Sequence, residues 1–197
     1  MKVVFLYHYY DRKIKDKRRV EFPPLGMLYI CAIFEKMGFE VEVLYFNKDT
    51  PSECFPEAYI YAYSISATEM IDVTGYSLRG FFQSYRSEII NKIEKNPNFK
   101  LRILLVDPRS IFSKEKEKEK NGEYRGVFHA NICTLYGYFK NYSSNIEIKL
   151  IPSGLSSMIF RIDDKMFIGP YMYKRDSKST VTFEVTVEGW MFRQYIY

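Results

Sequence analysis

Leu101-Arg102-Ile103-Leu104-Leu105-Val106-Asp107, followed at once by Pro108-Arg109-Ser110, is the stretch on which the fold turns. A nearly continuous apolar run of this length, closed by a proline that cannot extend a ladder, predicts a central strand buried on both faces of a parallel sheet. Parallel neighbours need crossover connections, and helical spacing supplies one on each side. Phe81, Phe82, Tyr85, Ile89, Ile90 and Ile93 recur at helical intervals over about 78–95 and stop at Asn96-Pro97-Asn98. Val127, Phe128, Ile132, Leu135, Tyr136 and Phe139 do the same over about 124–142. Ile71 to Gly75 reads as the strand before the first helix, and 146–151 as the strand after the second. Segments 156–162 and 166–168 read as a hairpin around Asp163-Asp164-Lys165, and 181–187 alternates as a further strand.

Toward the N-terminus, Val3 to Tyr7 is a short strand and the polar stretch from His8 to Phe22 a loop. Pro23-Pro24 suits the first turn of a helix that carries Leu25, Leu28, Tyr29, Ala32, Ile33 and Met37 and ends at Gly38. Val41, Val43 and Tyr45 alternate as a second strand. After a turn-rich stretch at 47–56, Tyr59-Ile60-Tyr61-Ala62-Tyr63 alternates as a third, over 59–65. The Lys/Glu run from Ser113 to Gly122 nearly cancels its own charge and reads as a mobile, solvated loop. The aromatic segment 190–197 carries no clear period.

The 197 residues, 47% hydrophobic and 27% charged, suit a packed chain and exclude wholesale disorder. No apolar run reaches the ~18 residues of a membrane span, and Met1 to His8 lacks the apolar core and cleavage site of a secretory signal. Cys31, Cys54 and Cys133 form no metal-ligand spacing with His8 or His129, so no metal site is expected; a reducing cytoplasm fits them, with Cys31 and Cys133 as small apolar residues on helices. The net charge of +5 is concentrated in Arg12-Lys13-Ile14-Lys15-Asp16-Lys17-Arg18-Arg19. This basic loop could meet nucleic acid or simply be a solvated surface.

Two family resemblances enter on motifs. Pro23-Pro24-Leu25-Gly26-Met27-Leu28-Tyr29-Ile30, with Phe34-Glu35-Lys36-Met37-Gly38-Phe39-Glu40-Val41, resembles the start of the cobalamin-binding-type Rossmann domain of radical-SAM proteins. The Asp-x-His-x-x-Gly loop of that family is absent, so the resemblance implies its fold and no cofactor. From Ile71 onward the chain resembles a phospholipase-D-like half-domain, on Gly75-Tyr76-Ser77-Leu78, on Ile103 to Asp107 leading into Pro108-x-Ser110, and on Ile162-Asp163-Asp164 leading to Ile168-Gly169-Pro170. With Asp163 as the Asp of that family's His-x-Lys-x4-Asp, the His falls on Ser156 and the Lys on Met158, and Pro170 replaces the Ser that follows. Serine without a base is a poor nucleophile and methionine cannot stabilise phosphate charge, so no catalytic residue is assigned. Asp163 then reads as a hairpin turn residue.

The expected fold is α/β: a Rossmann-like βαββ portion over 1–68 and a phospholipase-D-like mixed portion over 69–197, compatible with one continuous sheet. Ligands of such sheets bind beyond the carboxyl ends of strands, which singles out Ser77 and Arg79 after one strand and Asp107, Arg109 and Ser110 after the next, with Thr74 and Tyr76 lining the same crevice. The functional expectation is a non-catalytic sensor or adaptor, a cytoplasmic homodimer, that binds an anionic, nucleotide-like small molecule or a protein partner. The alternative is a divergent metal-independent phosphodiesterase or nuclease using residues such as His129 and Asp163.

Overall fold

The structure, a computed structural model, describes residues 2–8, 25–46, 60, 63–174, 182–186 and 192–193. Its elements run β1 (Lys2–His8), α1 (Leu25–Lys36), β2 (Glu40–Phe46), β3 (Met70–Gly75), α2 (Arg79–Lys95) and β4 (Lys100–Val106). They continue with α3 (Ile111–Asn121), α4 (Val127–Phe139), β5 (Ile146–Ile151), β6 (Ser157–Ile162), β7 (Lys165–Pro170) and β8 (Thr182–Thr186). The eight strands of the described residues belong to one mixed sheet in the order β2-β1-β8-β7-β6-β3-β4-β5. The α/β class and the single sheet follow the expectation. The basic segment 12–19, Pro23-Pro24, the turn-rich 47–56 and Cys54 lie outside the described residues.

Two parallel wings, β1/β2 and β3/β4/β5, are joined by the antiparallel strands β6, β7 and β8. The boundary at residue 68 falls just before β3, while β1 pairs with β8 from the far end of the chain. Gly38, at φ +82°, ends α1, and Phe39 N–H reaches back to the Phe34 carbonyl to close its last turn.

The main core lies between one face of the sheet and helices α2 and α4. Ile71, Val73, Leu101, Ile103 and Leu105 come from β3 and β4; Phe82, Ile89, Ile132, Leu135 and Phe139 come from the helices. Phe82 and Phe139 meet edge to face at 5.5 Å. Each such side chain contributes roughly 1.5–3 kcal/mol on burial. A smaller cluster of Met166, Ile168, Val185 and Phe192 gathers β7, β8 and residue 192.

Three expectations are corrected. β4 is next to the edge strand β5, and its burial alternates until Leu105 and Val106, so it is not buried on both faces along its length. On its second face Glu147, Arg102, Asp72 and Arg161 stand directly opposite one another across β5, β4, β3 and β6. Arg102 donates to Asp72 from Nε at 2.7 Å, and Arg161 lies 3.6 Å from the same carboxylate. Alternating charges across a sheet satisfy one another at its open surface.

Second, the strand expected at 59–65 is helical at residue 60 and over 63–66, with 59, 61 and 62 outside the described residues. Ile60, Ser64 and Ala67 are the buried positions, which is helical spacing, and Ser64 Oγ donates to the Ile60 carbonyl at 2.8 Å. β6 occupies the place beside β3 that a third parallel strand would have taken.

Third, the Lys/Glu run is no loop: it is helix α3. Lysine and glutamate are good helix formers, and Lys116–Glu119 and Glu115–Lys118 pair one turn apart. Ser110 Oγ accepts from Ser113 N–H at the start, and Gly122, at φ +77°, closes the end. Glu117 is fully buried and accepts hydrogen bonds from the backbone N–H groups of Arg125, Gly126 and Phe128 at 3.1, 2.8 and 2.6 Å. A carboxylate on α3 thus caps the N-terminus of α4, whose own cap residue, Gly126, has no side chain to do so. The expected helix over 124–142 is correspondingly shorter, Val127–Phe139.

Candidate functional site

The side chains at the two strand ends are each engaged locally. After β4, Asp107 and Arg109 hold each other: the carboxylate accepts from Arg109 backbone N–H at 2.8 Å, from Nε at 3.1 Å and from a terminal guanidinium nitrogen at 2.8 Å. The Arg109 side chain beside it, with its backbone N–H, pulls the Asp107 carboxyl down to about 2. Ser110 is the cap of α3. Each of the three therefore helps to close a turn.

Thr74 and Tyr76 are likewise engaged. Thr74 Oγ1 accepts from Ile159 N–H at 3.0 Å, and Tyr76 donates its hydroxyl to the Leu155 carbonyl at 3.4 Å. Tyr76 also packs edge to face on Tyr171 at 5.1 Å, and burial pushes both phenols upward. Gly75 leaves just enough room here, because a Cβ would lie 2.7 Å from Leu78 Cδ2. Helix α3 lies against the segments leaving β5 and β7: Phe112 packs on Gly154, and the Lys116 ammonium lies 5.7 Å from the Tyr171 ring centroid.

Ser77 and Arg79 stand elsewhere, at the start of α2, in a hollow of about 270 Å³ between α2 and α4. Phe82 and Leu135 form its floor; Gln83, Asn131, Thr134 and Tyr138 form its walls. Tyr138 also borders a second, wide-open hollow of about 480 Å³ farther along the same helices, with Arg86, Ser87, Asn91 and Gly137. Through Tyr138 the two hollows adjoin as one groove. Among the described residues no carboxylate lines either of them. Among the described residues Arg79 forms no ion pair, and Arg86 rests its guanidinium 4.4 Å above the Tyr138 ring centroid. The periodicity that assigned these helices marks their buried faces; the groove residues sit at the flanks, where the same wheel puts 79, 83 and 86 in line on α2 and 131, 134 and 138 on α4.

The residues of the phosphodiesterase alternative stand apart. Asp163, at φ +51° in the β6–β7 turn, accepts from Thr68, Glu69 and Met70 backbone N–H groups at 2.8, 3.0 and 2.9 Å and from the Thr68 hydroxyl at 3.2 Å. It anchors the amino end of β3. His129 lies in the first turn of α4, which enters from the carboxyl end of the sheet, and its ring meets the Cys133 thiol at 3.9 Å. A six-residue strand, roughly 20 Å, separates the two ends. Cys31 is buried and Cys133 exposed, so only the former is the small apolar helix residue expected. No group of three or more metal-ligating side chains occurs among the described residues, and none of their helices is long and apolar enough to cross a membrane.

No family model matches the chain, and no curated protein matches it. Among solved structures, an archaeal chromatin protein, TrmBL2, described as showing a novel mode of DNA binding, is similar at 9% identity with a TM-score of 0.43. The similarity covers 86% of this chain and 57% of that one, and assigns neither family nor ligand.

Proposed function

We propose that this chain is a non-catalytic binding module whose α2–α4 groove takes an anionic ligand. The observation that carries this reading is a groove with two arginines, Arg79 and Arg86, and no carboxylate on its walls. Elsewhere Arg102 is offset by Asp72, Arg109 by Asp107 and Arg125 by Glu123. Here the positive charge is left for a ligand, with amides and hydroxyls beside it as further hydrogen-bond partners. Of the residues expected to bind, Ser77 and Arg79 belong to this site, whereas Asp107, Arg109 and Ser110 do not.

Three observations favour binding over catalysis at the phospholipase-D-like motif. Ser156 lies on an exposed bend, Met158 packs against the core, and Asp163 has its carboxylate engaged by the backbone of residues 68–70. On this reading that motif persists as a structural anchor. The free thiols Cys31 and Cys133 agree with a cytoplasmic setting.

Tripolyphosphate is a suitable probe, since it offers charge without a base or sugar. The melting temperature of the wild type is expected to rise with its concentration. That rise should vanish in the Arg79→Ala/Arg86→Ala double variant and persist in Arg109→Ala. Loss of the rise in Arg109→Ala alone, with the double variant still responsive, returns the site to the end of β4 and overturns the assignment.

A further inference from the structure

Resting on that reading, we infer that the groove's ligand is a single-stranded nucleic acid lying along α2 and α4, and not a small nucleotide enclosed by them. The first argument is reach. Arg79 and Arg86 are seven residues apart on α2, which puts them on one face and about 10 Å apart along the axis. One phosphate would have to draw both side chains together and lift Arg86 off the Tyr138 ring, whereas successive phosphates of a strand can meet each guanidinium where it stands. The second is enclosure. Small-molecule sites bury most of their ligand, yet the larger hollow is wide open to solvent and adjoins the smaller one at Tyr138. A polymer passes through such a groove and leaves at both ends.

The third argument is chemistry midway. Tyr138 borders both hollows, with the Arg86 guanidinium over its ring. An aromatic ring and an arginine plane are the surfaces on which unpaired bases stack, and the amides of Gln83, Asn91 and Asn131 suit base edges and sugar hydroxyls.

The fourth concerns Gly137, inside α4 on the wall of the larger hollow. A glycine in a helix interior weakens it relative to alanine. Packing gives no reason for one here, since a Cβ at Gly137 would meet nothing within 4 Å. A bare stretch of helix backbone in the same hollow as Arg86 is what close approach of a sugar–phosphate chain requires.

Fluorescence anisotropy of a 5′-labelled 12-residue oligothymidylate tests this at 50–200 mM salt, with AMP and polyglutamate as competitors. The wild type should bind, with log affinity falling linearly against log salt. Arg79→Gln and Arg86→Gln should each weaken binding about tenfold and flatten the salt slope by roughly one contact. Gly137→Leu should raise or keep the melting temperature yet cut oligonucleotide affinity at least about tenfold, a combination that a structural role does not produce. AMP competing as well as the oligonucleotide, with Arg86→Gln silent, would overturn this inference and leave an anion site at Arg79. Displacement by polyglutamate at equal charge would also overturn it, in favour of an acidic peptide. If neither the oligonucleotide nor tripolyphosphate is bound, the underlying anion-binding reading fails as well.

Discussion

Asp163 and Glu117 are acids whose residue types suggest exposure, yet each is held by backbone N–H groups. For Asp163, burial pushes its carboxyl upward, but the bonds from Met70, Thr68 and Glu69 outweigh that and leave it below the ordinary aspartate range. A depressed value in the folded state means the native form binds its proton less readily than the unfolded chain does. The stability it contributes is therefore complete above the unfolded value, near 3.9, and is lost as the pH falls through the lower folded value. Asp163→Asn tolerates the positive φ but puts donors where acceptors are needed. It should cost roughly 1–3 kcal/mol at neutral pH and flatten the acid limb of stability in urea titrations. An unchanged acid limb would show that the anchor carries no such weight.

Among the elements, α3 shows how a Lys/Glu run becomes an integral part of a fold. Its helix is built from propensity, one-turn ion pairs and two caps; besides Phe112 on Gly154 and Lys116 by Tyr171, it is tied to the rest by one buried carboxylate on three N–H groups of the α4 start. Because the Gly126 cap lacks a side chain, nothing on α4 replaces that carboxylate. Glu117→Ala leaves three donors without their acceptor and should destabilise the chain by about 3 kcal/mol. The loss should show as faster amide exchange at Gly126 and Phe128 relative to the β3–β4 core. Equal protection in the variant would mean that water or rearrangement satisfies those donors fully.

At the scale of the molecule, β8 joins the two parallel wings: it pairs with β1 on one side and β7 on the other. It also brings Glu184 to Lys165, 2.9 Å away, and the same ammonium donates to the Tyr63 hydroxyl at 2.7 Å. Removing residues 175–197 opens the edges of both β1 and β7 and takes Phe192 from the smaller core. The shortened chain should show no single cooperative unfolding transition where the full chain shows one, and should aggregate, as read by calorimetry and light scattering. A monomeric product that keeps the full transition would show that the wings hold together without the bridge.

Local pattern alone located β3, α2, β4, α4, β5, the β6–β7 hairpin and β8, because each carries its period within a dozen or so residues and ends at Gly, Pro, Asn or Asp. It also marked Asp163 as a turn residue, since aspartate tolerates the left-handed backbone there. The helical residues 60 and 63–66 escaped, as alternating tyrosines mimic a strand until β6 takes the place beside β3. The ordering of α3 escaped as well, although Ser110 and Gly122 flanked it as caps, because the partners of Glu117 lie on another helix. Nor could the linear chain say that Arg109 answers Asp107 while Arg79 and Arg86 form no ion pair among the described residues. Which charges are neutralised and which remain for a ligand depends on distances across α2 and α4 that only the packed sheet establishes.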